Sequence, residues 1–141
     1  MATTATVTLS SDIFSGFSGY SKTMTMYKDG SLVDIDSSTG FSKRKLASTT
    51  KVDLITMANE LVEPLDNTGA KVYIKHTGNG KGVFDKSVGI TVLINSVEIG
   101  VLYGGDWLLM PVAVVDAEDI EVKPGSDATV VLEYVMFYEE G

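Results

Sequence analysis

The amino-acid sequence predicts an all-β fold, an antiparallel sandwich or barrel with at most one short helix. Val, Ile, Thr, Tyr, Phe and Gly are plentiful, which favours strands joined by tight turns. Turn residues recur at short, regular spacing between segments of alternating polarity. No segment shows the alternation of strands and helices that a parallel α/β sheet requires. Since no linker or internal repeat divides the chain, we expect one domain over residues 1–141.

Composition and charge exclude several classes of protein. The hydrophobic fraction of 44% and the charged fraction of 21% are those of a globular domain. The absence of Cys excludes disulfides and thiolate metal sites. The net charge of −8 falls in residues 61–141, while residues 1–60 carry equal numbers of basic and acidic residues. This acidity argues against nucleic-acid binding, and no apolar run is long enough to span a membrane. We therefore expect that the protein binds neither nucleic acid nor a membrane.

The N-terminal part of the chain contains strand signals around an aromatic segment. Residues 5–9 alternate weakly and predict a first strand. Residues 10–21 contain Phe14, Phe17 and Tyr20, and form either a loop on their own domain or part of an extended arm, residues 1–21, that docks on a neighbouring subunit. Asp29-Gly30 lies between the alternating segments 22–27 and 31–36, which predicts a β-hairpin.

The next segments are a basic cluster and an ambiguous stretch. We interpret Lys43, Arg44 and Lys45 as a solvated turn, with contact to an acidic partner as the alternative. Residues 51–57 are rich in β-branched side chains, which predicts a strand. A short helix within residues 48–62 is the alternative, because a possible helix N-terminal box begins at Thr50.

Strand patterns become clear in the C-terminal half. Alternation from residue 70 places Val72, Ile74 and His76 on one face. Asn95-Ser96 predicts a hairpin turn between residues 87–95 and 97–103. Pro111, within the apolar residues 106–115, indicates a sheet edge or a bulge. Residues 120–122 predict a short strand before the final one.

The final strand, within residues 128–140, is apolar on both faces, and Glu133 is the only charge on its second face. One face needs a core, and the other needs a partner subunit or a loop such as residues 10–20, because apolar strands are unstable in water. We expect a closed homo-oligomer. If Glu133 lies in a subunit contact, we expect a Lys or Arg from the first half of the chain as its partner. The candidate interface residues are Phe14, Phe17, Tyr20, Lys43, Arg44, Lys45, Trp107, Val131, Glu133, Val135 and Phe137.

No pattern in the sequence indicates catalysis. His76 is the only histidine, so a His-rich metal site cannot form, and no Gly-x-Ser-x-Gly elbow is present. Residues 78–82 lack the full phosphate-loop spacing. The acidic residues at 116–121 are interpreted as a solvated turn, with a calcium site as the alternative. We therefore predict no catalytic residue, no metal, no cofactor and no enzyme activity.

Five segments carry a resemblance to a known class of proteins. They are residues 71–75 (KVYIK), 94–102 (INSVEIGVL), 105–111 (GDWLLMP), 121–124 (EVKP) and 132–138 (LEYVMFY). Together they resemble small accessory virion proteins of tailed phages, particularly the head decoration (cement) proteins of marine and cyanobacterial phages. The resemblance covers about half of the chain and rests on strand and turn motifs.

The resemblance implies a jelly-roll-like sandwich, a homotrimer, that is made in the host cytoplasm and binds the major capsid protein on the outside of the virion. The expected function is therefore to stabilise contacts between capsomers, with residues 1–21 and the basic cluster as candidate capsid contacts. The alternative is a tail or fibre module that binds glycans or the host surface, on a platform of Trp107, Tyr103 and Tyr20.

Overall fold

The computed structural model describes residues 3–10, 19–27, 35, 37–56, 70–78, 88–112, 119–126 and 129–138. Within these ranges the chain forms strands and no helix, so the all-β prediction is confirmed. The strands are β1 (Thr4–Leu9), β2 (Tyr20–Thr25), β3 (Ser37–Ser38), β4 (Ser42–Leu46), β5 (Val52–Ile55), β6 (Ala70–His76), β7 (Ile90–Ile94), β8 (Val97–Leu102), β9 (Trp107–Val112), β10 (Ile120–Pro124) and β11 (Val130–Tyr138). No described helix is long and apolar enough to cross a membrane.

Two antiparallel sheets enclose the core. The four-stranded sheet has the order β5-β10-β7-β8. In the five-stranded sheet, β11 pairs with β3 and β4 on one side and with β6 on the other, and β9 follows β6. Alternate residues of facing strands fill the space between the sheets. The fully buried residues include Val72 and Ile74 of β6, Val92 of β7, Val122 of β10 and Leu132 of β11.

His76 lies at the end of β6 inside this core, with no exposed surface. Its Nε2 lies 2.8 Å from the carbonyl oxygen of Val88, and its Nδ1 accepts a hydrogen bond from the Gly78 N–H at 3.0 Å. A neutral ring with the proton on Nε2 satisfies both contacts. His76 therefore links the end of β6 to the segment before β7, and both of its ring nitrogens take part in hydrogen bonds.

The predicted hairpin at Asn95-Ser96 is confirmed. β7 and β8 pair antiparallel, and both turn residues have positive φ, 47° at Asn95 and 64° at Ser96. Two left-handed residues in succession are the geometry of a type I′ turn, whose twist matches that of the flanking strands. β8 is then left at one edge of the four-stranded sheet.

The N-terminal residues form a separate two-stranded ribbon, in which β1 pairs with β2. Residues 22–25, which are expected to form a hairpin with residues 31–36, pair with β1. The Ile35 N–H does bond the Met26 carbonyl oxygen at 3.3 Å, while the Asp29-Gly30 turn lies outside the described residues. Of the expected arm, residues 4–9 form β1 and residues 20–21 belong to β2, while residues 11–18 lie outside the described part of the chain.

The basic cluster is a strand and not a turn, so that interpretation is wrong. Lys43 and Lys45 belong to β4, where they lie opposite Glu133 and Val131 of β11. Arg44 points to the other face, where its Nη1 donates a hydrogen bond to the Asp53 carbonyl oxygen at 2.7 Å. Pairing with the long strand β11 outweighs the low strand propensity of lysine, because propensity on a sheet depends mainly on its neighbours.

Of the remaining expectations, some concern described residues and can be tested, and others concern residues outside the described ranges. β5 confirms a strand rather than a helix at residues 52–55, while residues 57–69 lie outside the description. Pro111 lies on β9, an edge strand of the five-stranded sheet, as predicted. Residues 116–118 of the acidic segment also lie outside the described part of the chain.

Candidate functional site

The outer face of the five-stranded sheet, which points away from the core, carries most of the candidate interface residues. The strand registers align this face in rows. One row runs Lys43–Glu133–Lys75–Trp107, the next runs Val135–Tyr73–Leu109, and a third runs Phe137–Lys71–Pro111. Aromatic and charged side chains therefore alternate on a surface that a simple sandwich would leave in water.

The ribbon covers part of this face, and a groove remains between them. Val135 retains 1% exposure and Met26, just after β2, 9%, so the centre of this face is buried within one chain, while Glu133 and Phe137 on either side of Val135 are half-buried. The groove has a volume of about 480 Å³, which lies within the range of ligand pockets. Its lining residues are Thr4, Ala5, Thr6, Val7, Met26, Phe41, Tyr73, Lys75, Trp107, Leu109, Glu133 and Phe137.

Three aromatic rings form a row across the groove. Phe41 and Tyr73 meet edge to face with centroids 6.2 Å apart, and Tyr73 and Trp107 are tilted with centroids 6.5 Å apart. Such pairs stabilise each other modestly. The two outer rings are exposed, Phe41 by 68% and Trp107 by 53%. The row is therefore preformed and accessible.

Charges at the groove are arranged around Glu133. Its Oε2 lies 3.9 Å from Lys43 Nζ, so the expected partner from the first half of the chain is present, although in the same chain. On the other side, Lys75 lies opposite Glu133 in the register, but no described carboxylate lies within ion-pair distance of its ammonium. Burial raises the pKa of the Tyr73 hydroxyl above its ordinary value, and the Glu133 carboxylate raises it further.

Three of the other predicted interface residues also lie on the outer face, and the rest lie elsewhere or outside the described residues. Val131 and Phe137 are half-buried on the outer face, Lys45 is exposed beside Val131, and Arg44 faces the edge of the sandwich. Tyr20 is exposed on β2. Phe14 and Phe17 lie outside the described residues.

The three residues expected to form a glycan platform do not share one surface. Tyr103 follows β8 of the four-stranded sheet, and a Cβ built on Gly89 would approach its ring to 3.1 Å, so the ring lies over Gly89. Trp107 lies on the outer face of the five-stranded sheet, and Tyr20 lies on the ribbon. Phe41 and Tyr73, which the sequence analysis did not single out, are the aromatic neighbours on the face that carries Trp107.

A buried ion pair was also not foreseen. Glu121 of β10 is 6% exposed, and its carboxylate lies 2.6 Å from Lys51 Nζ and accepts a hydrogen bond of 2.6 Å from the Ser96 N–H. The hydrogen bond from Lys51 lowers the pKa of Glu121, burial acts in the opposite direction, and the bond from Ser96 lowers it again. The cluster ties β10 to the start of β5 and to the β7–β8 turn.

Within the described ranges, no group of three or more His, Asp or Glu side chains could hold a metal ion. No protein-family model matches the chain, and no curated protein shows significant similarity to it. Two surface features could bind a partner. They are the groove beneath the ribbon and the exposed apolar side chains of edge strand β8, Ile99 and Val101.

Proposed function

We propose that this protein is a non-enzymatic structural protein of a phage virion, a decoration protein that binds the outside of the capsid and stabilises contacts between capsomers. In this proposal it is a homotrimer with jelly-roll-like connectivity, and its partner is the major capsid protein. The resemblance of residues 71–138 to accessory virion proteins supports the virion assignment.

The structural observation that carries the proposal is an exposed apolar surface at edge strand β8. Val97, Ile99, Val101 and Tyr103 are 64%, 43%, 48% and 49% exposed. Isolated exposed apolar side chains are common, but several of them along one edge strand indicate an interaction surface, although a register shift between Val92 and Leu93 interrupts the pairing of β8. The other long edges carry protecting residues, Lys43 and Lys45 on β4 and Pro111 on β9, whereas β8 carries one charge, Glu98, beside a register shift in its pairing with β7.

The experiment combines sedimentation with binding to capsids stripped of their accessory proteins. The wild-type protein should sediment as a trimer and bind the stripped capsids. Introducing charge with Ile99→Glu and Val101→Glu should abolish both properties. Thr50→Glu, which adds a carboxylate to an exposed position just before β5, at the opposite edge of the same sheet, is the matched control and should leave both unchanged. A monomer at all concentrations that does not bind stripped capsids contradicts the proposal.

The row of exposed rings favours a second candidate function, glycan binding by a tail or fibre module. Sugar rings stack their C–H faces on aromatic side chains, and Phe41, Tyr73 and Trp107 offer such faces in a groove that also contains a carboxylate and an ammonium group. Glycan-array binding that is lost in Trp107→Ala, with folding retained, supports this candidate. Failure to bind any glycan excludes it in favour of the first.

A further inference from the structure

We propose that the groove beneath the ribbon binds an extended segment of another polypeptide, which adds as a strand to the open edge of β1 and carries apolar side chains and a carboxylate. This site is separate from the apolar surface at β8, because it lies on the outer face of the five-stranded sheet. The two proposals can therefore fail independently.

The open edge of β1 is the first argument. The Thr3 carbonyl oxygen accepts a hydrogen bond from the Met26 N–H at 2.8 Å. In an antiparallel pair, residues whose backbone groups point at the partner alternate with residues whose groups point away. Following the β1–β2 register from Thr3, Thr4 and Thr6 point their N–H and C=O groups away from β2.

The groove lies on this open edge. Four consecutive residues of β1, from Thr4 to Val7, line it, and no residue of β2 does. Since alternate side chains of a strand point to opposite faces, consecutive lining residues indicate that the edge of the strand forms the wall. No described residue accepts from or donates to the Thr4 and Thr6 backbone groups on this side. An unpaired strand edge is a template for another strand.

The floor of the groove determines the side chains that the segment carries. Tyr73, Leu109 and Phe137 present apolar surface there, which suits alternate apolar side chains on the face of the added strand that points at the sheet. Polar or charged residues are expected on its other face, towards water.

The charges that line the groove indicate which charged group the bound segment carries. Glu133 has Lys43 as its ion-pair partner on one side, while Lys75, opposite Glu133 on the other side, has no described carboxylate within ion-pair distance. Among the described residues of the outer face, β4 also presents Lys45, which lies opposite Val131 and not opposite a carboxylate. The complementary segment therefore carries a carboxylate placed to reach Lys75, and backbone pairing to β1 favours a peptide over a sugar.

The test uses the intrinsic fluorescence of Trp107, which lines the groove and is the only tryptophan in the chain. The probe is a synthetic peptide of six residues, the length of β1, in which valine alternates with threonine and one threonine is replaced by glutamate. Titration into the intact protein should change the Trp107 emission to saturation. The same peptide with methylated amide nitrogens keeps its side chains but lacks N–H donors, and should not bind.

Two matched variants test which edge of the ribbon, that of β1 or that of β2, binds the peptide. Thr6→Pro removes an N–H that points into the groove and should weaken binding of the glutamate peptide about tenfold, the effect of one lost hydrogen bond. Thr23 lies opposite Thr6, and their hydroxyls are 2.7 Å apart, so Thr23→Pro loses the same hydroxyl contact but alters the far edge of the ribbon. It should leave the affinity unchanged.

A separate comparison tests whether Lys75 recognises the carboxylate of the peptide. Lys75→Met should weaken binding of the glutamate peptide but not of its glutamine counterpart. The proposal is overturned if the peptide does not bind at millimolar concentration, if the methylated peptide binds equally well, or if Thr6→Pro and Thr23→Pro behave alike. Saturable binding of a neutral oligosaccharide such as maltohexaose, without peptide binding, would overturn it in favour of a sugar site.

Discussion

Replacing Glu121 by glutamine should lower the free energy of unfolding by about 2 kcal/mol at pH 7. Glutamine keeps an oxygen for the Ser96 N–H but loses the charge that attracts Lys51, whose Nζ lies 2.6 Å away. A hydrogen bond to a charged group contributes roughly 1.5–3 kcal/mol. We expect the lower part of this range, because the Lys51 side chain is 41% exposed and water screens the pair.

The effect should depend on pH in a defined direction. The pKa of Glu121 is lower in the folded protein than its ordinary value of 4.5. The carboxylate therefore contributes its full stabilisation above pH 4.5, and this contribution is lost as the pH falls through the folded-state pKa. The stabilities of the wild-type protein and Glu121→Gln should differ at neutral pH and converge in acid.

Urea unfolding followed by Trp107 fluorescence measures both quantities. A double-mutant cycle of Glu121→Gln with Lys51→Met isolates the coupling energy of the pair. The matched control is Glu133→Gln with Lys43→Met, an exposed pair 3.9 Å apart whose coupling should be below about 0.5 kcal/mol. A coupling for Glu121 no larger than that of the control, or a pH-independent effect, would refute the reasoning.

Three further substitutions test the fold. His76→Ala should cost about 3 kcal/mol in urea unfolding because it leaves the Gly78 N–H and the Val88 carbonyl oxygen buried without partners, while His76→Gln should recover part of the loss. Gly89→Ala should cost about 1–3 kcal/mol, since the new Cβ would lie 2.9 Å from a Val101 methyl group; adding Val101→Ala should reduce the cost, and thermal unfolding of both variants checks this. Val135→Ala should speed hydrogen exchange in β1 and β2 more than in β7, because Val135 lies beneath the ribbon; equal acceleration in all three strands would contradict that placement.

The sequence predicted the elements whose signals are local. β6 alternates without interruption, so Val72 and Ile74 could be assigned to the core and Tyr73 to the opposite face before any partner strand was known. Asn95-Ser96 specified its hairpin because a two-residue turn between strands requires residues that tolerate positive φ. In both cases the information lies within a few consecutive residues.

Pairings between distant residues could not be predicted in the same way. The Asp29-Gly30 signal predicted residues 31–36 as the partner of residues 22–27, and the hydrogen bond from the Ile35 N–H to the Met26 carbonyl oxygen agrees with it. The further pairing of β2 with β1 is encoded by no turn motif. β4 has a basic composition that indicates a solvated turn, and it is a strand because β11 offers it an edge and places Glu133 opposite Lys43. Tertiary context overrides propensity in such segments.

The pairs Lys43–Glu133 and Lys51–Glu121 show the same limit of prediction from sequence. A partner for Glu133 could be expected because a lone charge on an apolar face needs one, and Lys43 fulfils the expectation. Glu121 gave no such signal, since it stands among other acidic residues in the sequence. Its burial and its pairing with Lys51 follow only from the approach of β10 to β5 and to the β7–β8 turn.

The ribbon changes what the apolar second face of β11 implies. The sequence alone left a partner subunit or a covering loop as explanations, and the structure buries Val135 within its own chain. A two-stranded ribbon is marginally stable by itself, so β1 and β2 gain stability from packing on this face as much as they protect it. Because β1 pairs with β2 alone among the described strands, its edge at Thr4 and Thr6 stays open beside Tyr73 and Trp107. The element that covers the face therefore also creates the groove where a further strand can add.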